Sequence, residues 1–134
     1  MKYVIVDTDA FSHLWPTPTA ASSFAPHLIG AVPVISFTTI AEVHFGAAKR
    51  GWGQKRVDQL EEAIRRYVVA PYDDDLARLW GRLKSHAQRA GHPLGHNSQT
   101  NDLWICATAI YHNAPLLTIN RRHFDNFPGL VVLS

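Results

Sequence analysis

The chain is poor in the features that fix a protein by covalent or charge-driven means. It has one cysteine, Cys106, in 134 residues. No disulfide can close within it, and a reducing, cytoplasmic setting is expected. Charged residues make up 18% of the chain and leave a net charge of only +2. The protein as a whole is therefore no polycation, although local basic clusters could still hold a polyanion. No apolar run approaches the ~20 residues needed to cross a bilayer. The opening Met1-Lys2-Tyr3-Val4 lacks the apolar region and cleavage site of a secretory signal. Eight histidines are present, but none falls in a His-Glu-x-x-His zinc spacing. There is no Gly-x-Ser-x-Gly elbow, phosphate-cradling glycine loop or cysteine cluster.

What is present is a 46% hydrophobic chain arranged as short apolar runs between helical patterns. The length predicts one domain over residues 1–134. Residues 3–6, 32–36, 68–70, 115–119 and 130–133 read as strands. Helices are expected over 8–14, 20–28, 38–51, 54–67, 73–91 and 102–112, with loops at Pro16–Pro18 and 92–99. Cys106, Trp80 and Trp104 fall on apolar helices and read as core. Strands alternating with helices predict an α/β fold on a mostly parallel sheet of four to five strands. In such sheets, sites form beyond the carboxyl ends of the strands.

Three acids recur in that context. Asp7 follows Tyr3-Val4-Ile5-Val6, Glu42 follows the second strand after a Ser/Thr-rich turn, and Asp102 opens the apolar stretch from Leu103 to Ala109. Each alone has an ordinary explanation. Asp7 can cap the next helix, Thr39-x-x-Glu42 matches a capping box, and Asp102 suits a helix N-terminus. Their conjunction points further. Apart from Lys2, no Lys or Arg lies within five residues of any of them. Carboxylates crowded at one buried edge resist ionising, and a hard cation with oxygen ligands relieves that repulsion.

The blocks Val6-Asp7-Thr8-Asp9, Ser36-Phe37-Thr38-Thr39-Ile40-Ala41-Glu42-Val43 with Gly46, and Asn101-Asp102-Leu103-Trp104-Ile105-Cys106-Ala107-Thr108-Ala109 stand in order. Leu117-Thr118-Ile119-Asn120-Arg121-Arg122-His123-Phe124 and Phe127-Pro128-Gly129-Leu130 complete the series. Together they resemble the PIN-domain ribonucleases, and within them the VapC toxins of VapBC-type (type II) toxin–antitoxin systems. The resemblance implies a three-layer α/β/α PIN fold. It implies an endoribonuclease using Mg²⁺, with Mn²⁺ as a substitute, to leave a 5′-phosphate and a 3′-hydroxyl. It also implies a homodimer neutralised by a VapB-like antitoxin, whose C-terminal segment would lie in a groove from Val43, Phe45 and the helix after Gly53.

Carried over by position, Asp7, Glu42 and Asp102 match the family's metal-binding, catalytic acids. The family commonly has a fourth acid after the fourth strand, where this chain has Asn120, Arg121 and His123. Asp9 is the nearest replacement, and a single ion is expected. Thr8, Thr118 and Asn120 are supporting candidates. Lys49, Arg50, Lys55, Arg56, Arg121 and Arg122 are candidates for the RNA backbone, with Arg121 and Arg122 expected beside the acids. Trp15 and Trp52 are candidates for base stacking. Two other readings compete. Asp7-Thr8-Asp9 also resembles the nucleophile motif of haloacid-dehalogenase-like phosphatases, and the missing acid would suit a degenerate module that binds RNA or protein without cutting.

Overall fold

A computed structural model describes residues 2–15 and 24–134. The elements run in the order β1 (Lys2–Val6), α1 (Thr8–Leu14), α2 (Ala25–Leu28), β2 (Ala31–Ser36), α3 (Phe37–Lys49), α4 (Gln54–Ile64) and β3 (Val68–Ala70). They continue with α5 (Asp74–Ala90), α6 (Thr100–Tyr111), β4 (Leu116–Leu117), α7 (Arg121–Phe124) and β5 (Val132–Leu133). The five strands form one sheet in the order β3-β2-β1-β4-β5, parallel at every pairing.

The sheet is buried on both faces because its apolar residues alternate between two cores. Val4, Val6, Ile35 and Leu117 face a layer with Phe11, Ala47, Leu60 and Ile64 from α1, α3 and α4. Ile5, Val34 and Leu116 face the other layer with Ala87, Leu103, Cys106 and Phe124 from α5, α6 and α7. This is the expected three-layer α/β/α sandwich. Cys106 is fully buried, and burial pushes its thiol up to about 12. Trp80 and Trp104 stack on each other at 5.2 Å between centroids and remain partly exposed.

Several local expectations change. The expected helix over 20–28 is described only as Ala25–Leu28, and the Pro16–Pro18 loop lies outside the described residues. α3 begins earlier than expected, because Ser36 is the N-cap and its Oγ accepts from the Thr38 N–H at 3.2 Å. Thr39 therefore lies inside the helix, and the Thr39–Glu42 capping box does not form. The polar loop at 92–99 tightens into two 3₁₀ turns, Pro93–Gly95 and Asn97–Gln99. Gly95 packs directly on α5, where an added Cβ would sit 2.7 Å from the Gln88 nitrogen. A short helix, α7, follows β4 where a loop was expected.

Strand order places the site. From β1 the chain moves one way to β2 and β3, then returns to β4 on the other side. The reversal opens a crevice between the carboxyl ends of β1 and β4. Asp7 ends β1 there, and Thr118 ends β4 beside it.

Candidate active site

Asp7 is the most enclosed of the acids, at 2% exposure. Its Oδ1 accepts from the Ala10 N–H at 2.8 Å and caps α1, so the ordinary reading of this residue is also true. Its Oδ2 accepts from the Thr118 hydroxyl at 2.6 Å. Glu42 reaches the same edge from the second turn of α3. Its Oε1 accepts from Thr8 Oγ1 at 2.6 Å. Thr8 has one proton to give, so in the 3.0 Å contact between Thr8 and buried Thr39 the donor is Thr39. A relay from Thr39 through Thr8 thus fixes Glu42. Asp102, in the first turn of α6, contacts His123 Nδ1 at 3.2 Å. Asp9, on α1, accepts from the Asn120 side-chain amide.

One short segment therefore serves three of the four acids. Thr118 holds Asp7, Asn120 holds Asp9 and His123 holds Asp102. The Asn120 backbone N–H donates to Thr118 Oγ1 at 2.9 Å, which orients that hydroxyl's own proton toward Asp7.

The electrostatics show that these carboxylates face one another. Burial pushes the Asp7 carboxyl up to about 6, with smaller upward contributions from Asp9 and Asp102. Glu42 is raised first by burial, then by the Asp102 and Asp9 charges, against hydrogen bonds from Thr8 and Asn101. Asp102 is raised by burial and by Asp9, with His123 opposing. Among the described residues, no Lys or Arg forms an ion pair with any of the four.

No three His, Cys, Asp or Glu side chains among the described residues form a closed metal cage, since the acids are turned onto their own donors. The donor set is nonetheless all oxygen, under-compensated and gathered at one edge. That chemistry fits a hard divalent cation and not a zinc site built on N and S ligands.

A cleft of about 460 Å³ opens from this edge between α1, α3 and α4. Asp9 and Glu42 stand at one end, and Lys49 and Arg50 at the other. Arg121 and Arg122 do not line it. Arg121 is engaged by Asp125 at 3.2 Å and by Ser134 at 3.0 Å, and Arg122 borders a separate cleft with His86 and His92. The segment after β4 lies beside the acids, and it reaches them through Thr118, Asn120 and His123. Trp15 and Trp52 pack on each other at 5.3 Å, with the Arg56 guanidinium 4.2 Å from the Trp52 ring centre. Asn101 was missed as a partner of Glu42. Its only signal in the sequence is its place directly before Asp102.

The fold and the acid edge together define a carboxylate-centred α/β domain of the kind that acts on phosphate esters. The PIN-domain family model matches residues 4–130. Ribonuclease VapC19 of Mycobacterium tuberculosis is 32% identical over 132 residues, covering 94% of this chain and 95% of that protein. Ribonuclease VapC5 of the same organism is 33% identical over 94 residues, covering 69% of this chain and 64% of that protein. The chain belongs to the PIN-domain family, in its VapC group. The VapBC2 complex of Rickettsia felis, bound to a promoter DNA fragment, shares the fold with a TM-score of 0.83 at 21% identity, over 98% of this chain and 97% of that one. VapBC-5 of M. tuberculosis, from a toxin–antitoxin system, aligns with a TM-score of 0.71 at 25% identity, over 99% of this chain and 98% of that one. The family is thus the one that the sequence blocks resemble, and not the phosphatase family. No helix among the described residues is long and apolar enough to cross a membrane.

Proposed function

We propose that this protein is a Mg²⁺- or Mn²⁺-dependent endoribonuclease, the toxin of a type II toxin–antitoxin pair. The observation that carries the reading is the set of four carboxylates at the β1–β4 switch point, in a chain whose relatives are named ribonucleases. Asp7, Glu42 and Asp102 would hold the divalent ion. When bound, such an ion polarises a scissile phosphate and makes a water acidic enough to attack phosphorus.

The chain's own residues do the rest. The Thr39–Thr8 relay and the Thr118 hydroxyl hold Glu42 and Asp7 in fixed rotamers. His123 positions Asp102. Asp9 keeps one oxygen on Asn120, which leaves the other to orient the attacking water and accept its proton. Lys49 and Arg50 bind the RNA backbone beyond the cleft mouth. With Asn120 and His123 standing where further acids would be needed, the site takes one ion per protomer. A homodimer and a VapB-like antitoxin are part of this reading, and the toxin–antitoxin complexes among the structural neighbours support the antitoxin.

The test is cleavage of total cellular RNA by purified, antitoxin-free protein, with Mg²⁺ or Mn²⁺ and with EDTA, beside Asp102→Ala. Discrete cuts that need both the ion and Asp102 are expected. RNA binding without cutting under any condition would leave a degenerate binding module instead.

A further inference from the structure

Helix α3 carries more than Glu42 into the cleft. Phe45, one turn further on, is 67% exposed, although the helix has a core-facing side marked by Thr39 and Ala47. Lys49 Nζ stands 5.9 Å from the Phe45 ring centre. Gly46 has a specific use here. A Cβ at this position would meet the Arg50 Nη1 at 2.9 Å, so the guanidinium lies back along the helix over Gly46. The same helix surface therefore presents an acid, an open aromatic ring and two cations in succession.

The spacing follows from helix geometry. At a rise of about 1.5 Å per residue, Phe45 lies roughly 4.5 Å along the axis from Glu42, and Lys49 a further 6 Å or so. The tryptophans nearby cannot serve in the same way, because Trp15, Trp52 and Arg56 already cover one another. Among the aromatic rings that line the cleft, Phe45 is the most exposed, with Lys49 over its ring.

We propose that Phe45, Lys49 and Arg50 form a nucleotide subsite for single-stranded RNA beside the carboxylate edge. A base stacks on the Phe45 ring, and the phosphate beyond it is held by Lys49 and Arg50. A duplex keeps its bases stacked on each other and cannot offer one to the ring. Stacking on an aromatic face tolerates any base, so the subsite selects for unpaired structure and not for sequence. An apolar protein segment would cover the ring but leave both cations unused. The inference rests on the ribonuclease reading and deepens it.

The experiment measures binding of a single-stranded oligoribonucleotide in EDTA, where no cleavage occurs, together with KM when Mg²⁺ is restored. Phe45→Ala is expected to weaken binding and raise KM by about tenfold or more, and Phe45→Trp to restore both. Lys49→Ala with Arg50→Ala should reduce the slope of log K against log salt by roughly one to two. A duplex of equal length should be bound more weakly by the parent and be insensitive to Phe45→Ala. Unaltered single-strand affinity in Phe45→Ala would overturn the subsite. So would unaltered RNA affinity in a Phe45→Ala variant that changes its oligomeric state, since that assigns the ring to a protein contact. If the parent binds RNA in this manner but never cuts, the ribonuclease reading fails while the subsite stands.

Discussion

The two ends of the α1–α3–α4 cleft are built on opposite principles. At the acid end, each carboxylate is held by a specific donor, and Asp7 is nearly sealed from water. At the basic end, Phe45, Lys49 and Arg50 stand open to solvent. Enclosure raises the strength of electrostatic interactions and removes the need for groups to reorganise during a reaction. Exposure lets long cationic side chains follow a flexible polyanion. On the proposed function, one end is fixed for chemistry and the other is left adaptable for grip. Changes at the acid end should therefore move rate and stability, whereas changes at the basic end should move affinity.

The largest effect is expected at Asp7. Asp7→Asn keeps the size of the side chain and its ability to cap α1, but removes a charge from the proposed metal-holding set. Cleavage should fall by about 10³-fold or more, equivalent to roughly 4 kcal/mol of barrier. Circular dichroism should report an intact fold. Near-parental cleavage by this variant would remove Asp7 from the chemistry.

The same substitution should act in the opposite sense on stability. The Asp7 carboxyl lies at 3.8 when unfolded and about 6 when folded. Below about pH 4 it is protonated in both states and folding carries no ionisation cost. As pH rises toward 6, the unfolded chain ionises first and stability falls, by up to about 3 kcal/mol above pH 6. In EDTA, Asp7→Asn should therefore be the more stable protein at pH 7.5, and the advantage should vanish below pH 4. Adding Mn²⁺ should narrow the gap, because the ion binds the folded parent more strongly than the variant. Denaturant titrations across this pH range would decide it. A variant less stable than the parent at pH 7.5 would show that the Asp7 hydrogen bonds outweigh its burial.

The contrast between the two ends also marks how far the sequence could be read. Asp7, Glu42 and Asp102 were legible because each interrupts or borders an apolar run and lacks a basic neighbour in the chain. The sheet was legible for the same reason, since buried parallel strands are continuous apolar runs. The donors were harder to see. Thr118, Asn120 and His123 serve acids 111, 111 and 21 residues away. No local pattern specifies which hydroxyl or amide will meet which carboxylate across the β1–β4 crevice. Arg121 follows the same logic, since it opens α7 next to Asn120 and its partners there are Asp125 and Ser134. Phe45 was legible only through the family resemblance, as part of an antitoxin groove, because its exposure is identified only once the core is known.

The donor segment yields a sharper test of the acid end. If Asn120 and His123 limit the site to one ion, equilibrium dialysis should find one Mn²⁺ per protomer in the parent. His123→Asp, alone or with Asn120→Asp, adds acids beside Asp102 and Asp9. A second Mn²⁺ should then bind, more weakly than the first. Two ions in the parent would show that four carboxylates suffice and that His123 does not limit the count. One ion in the double variant would show that geometry, and not the number of acids, sets the limit.

The smallest effect separates capping from chemistry on α3. Ser36 Oγ caps the helix through the Thr38 N–H, whereas the Thr39 hydroxyl points into the relay to Glu42. Ser36→Ala should cost about 1 kcal/mol of stability and lower Tm by a few degrees, roughly 3–5 °C for a domain of this length. Its cleavage rate should stay within a few-fold of the parent's, because Glu42 keeps its Thr8 partner. Thr39→Val should show the reverse pattern. It is nearly isosteric and makes no cap, so it should cost a similar amount, about 1 kcal/mol for one buried hydrogen bond, and the reversal lies in kcat. The freed Thr8 hydroxyl can then rotate, and Glu42 loses its fixed rotamer, so kcat should fall more than in Ser36→Ala. If instead Thr39→Val left kcat as untouched as Ser36→Ala does, the relay would have no part in the site.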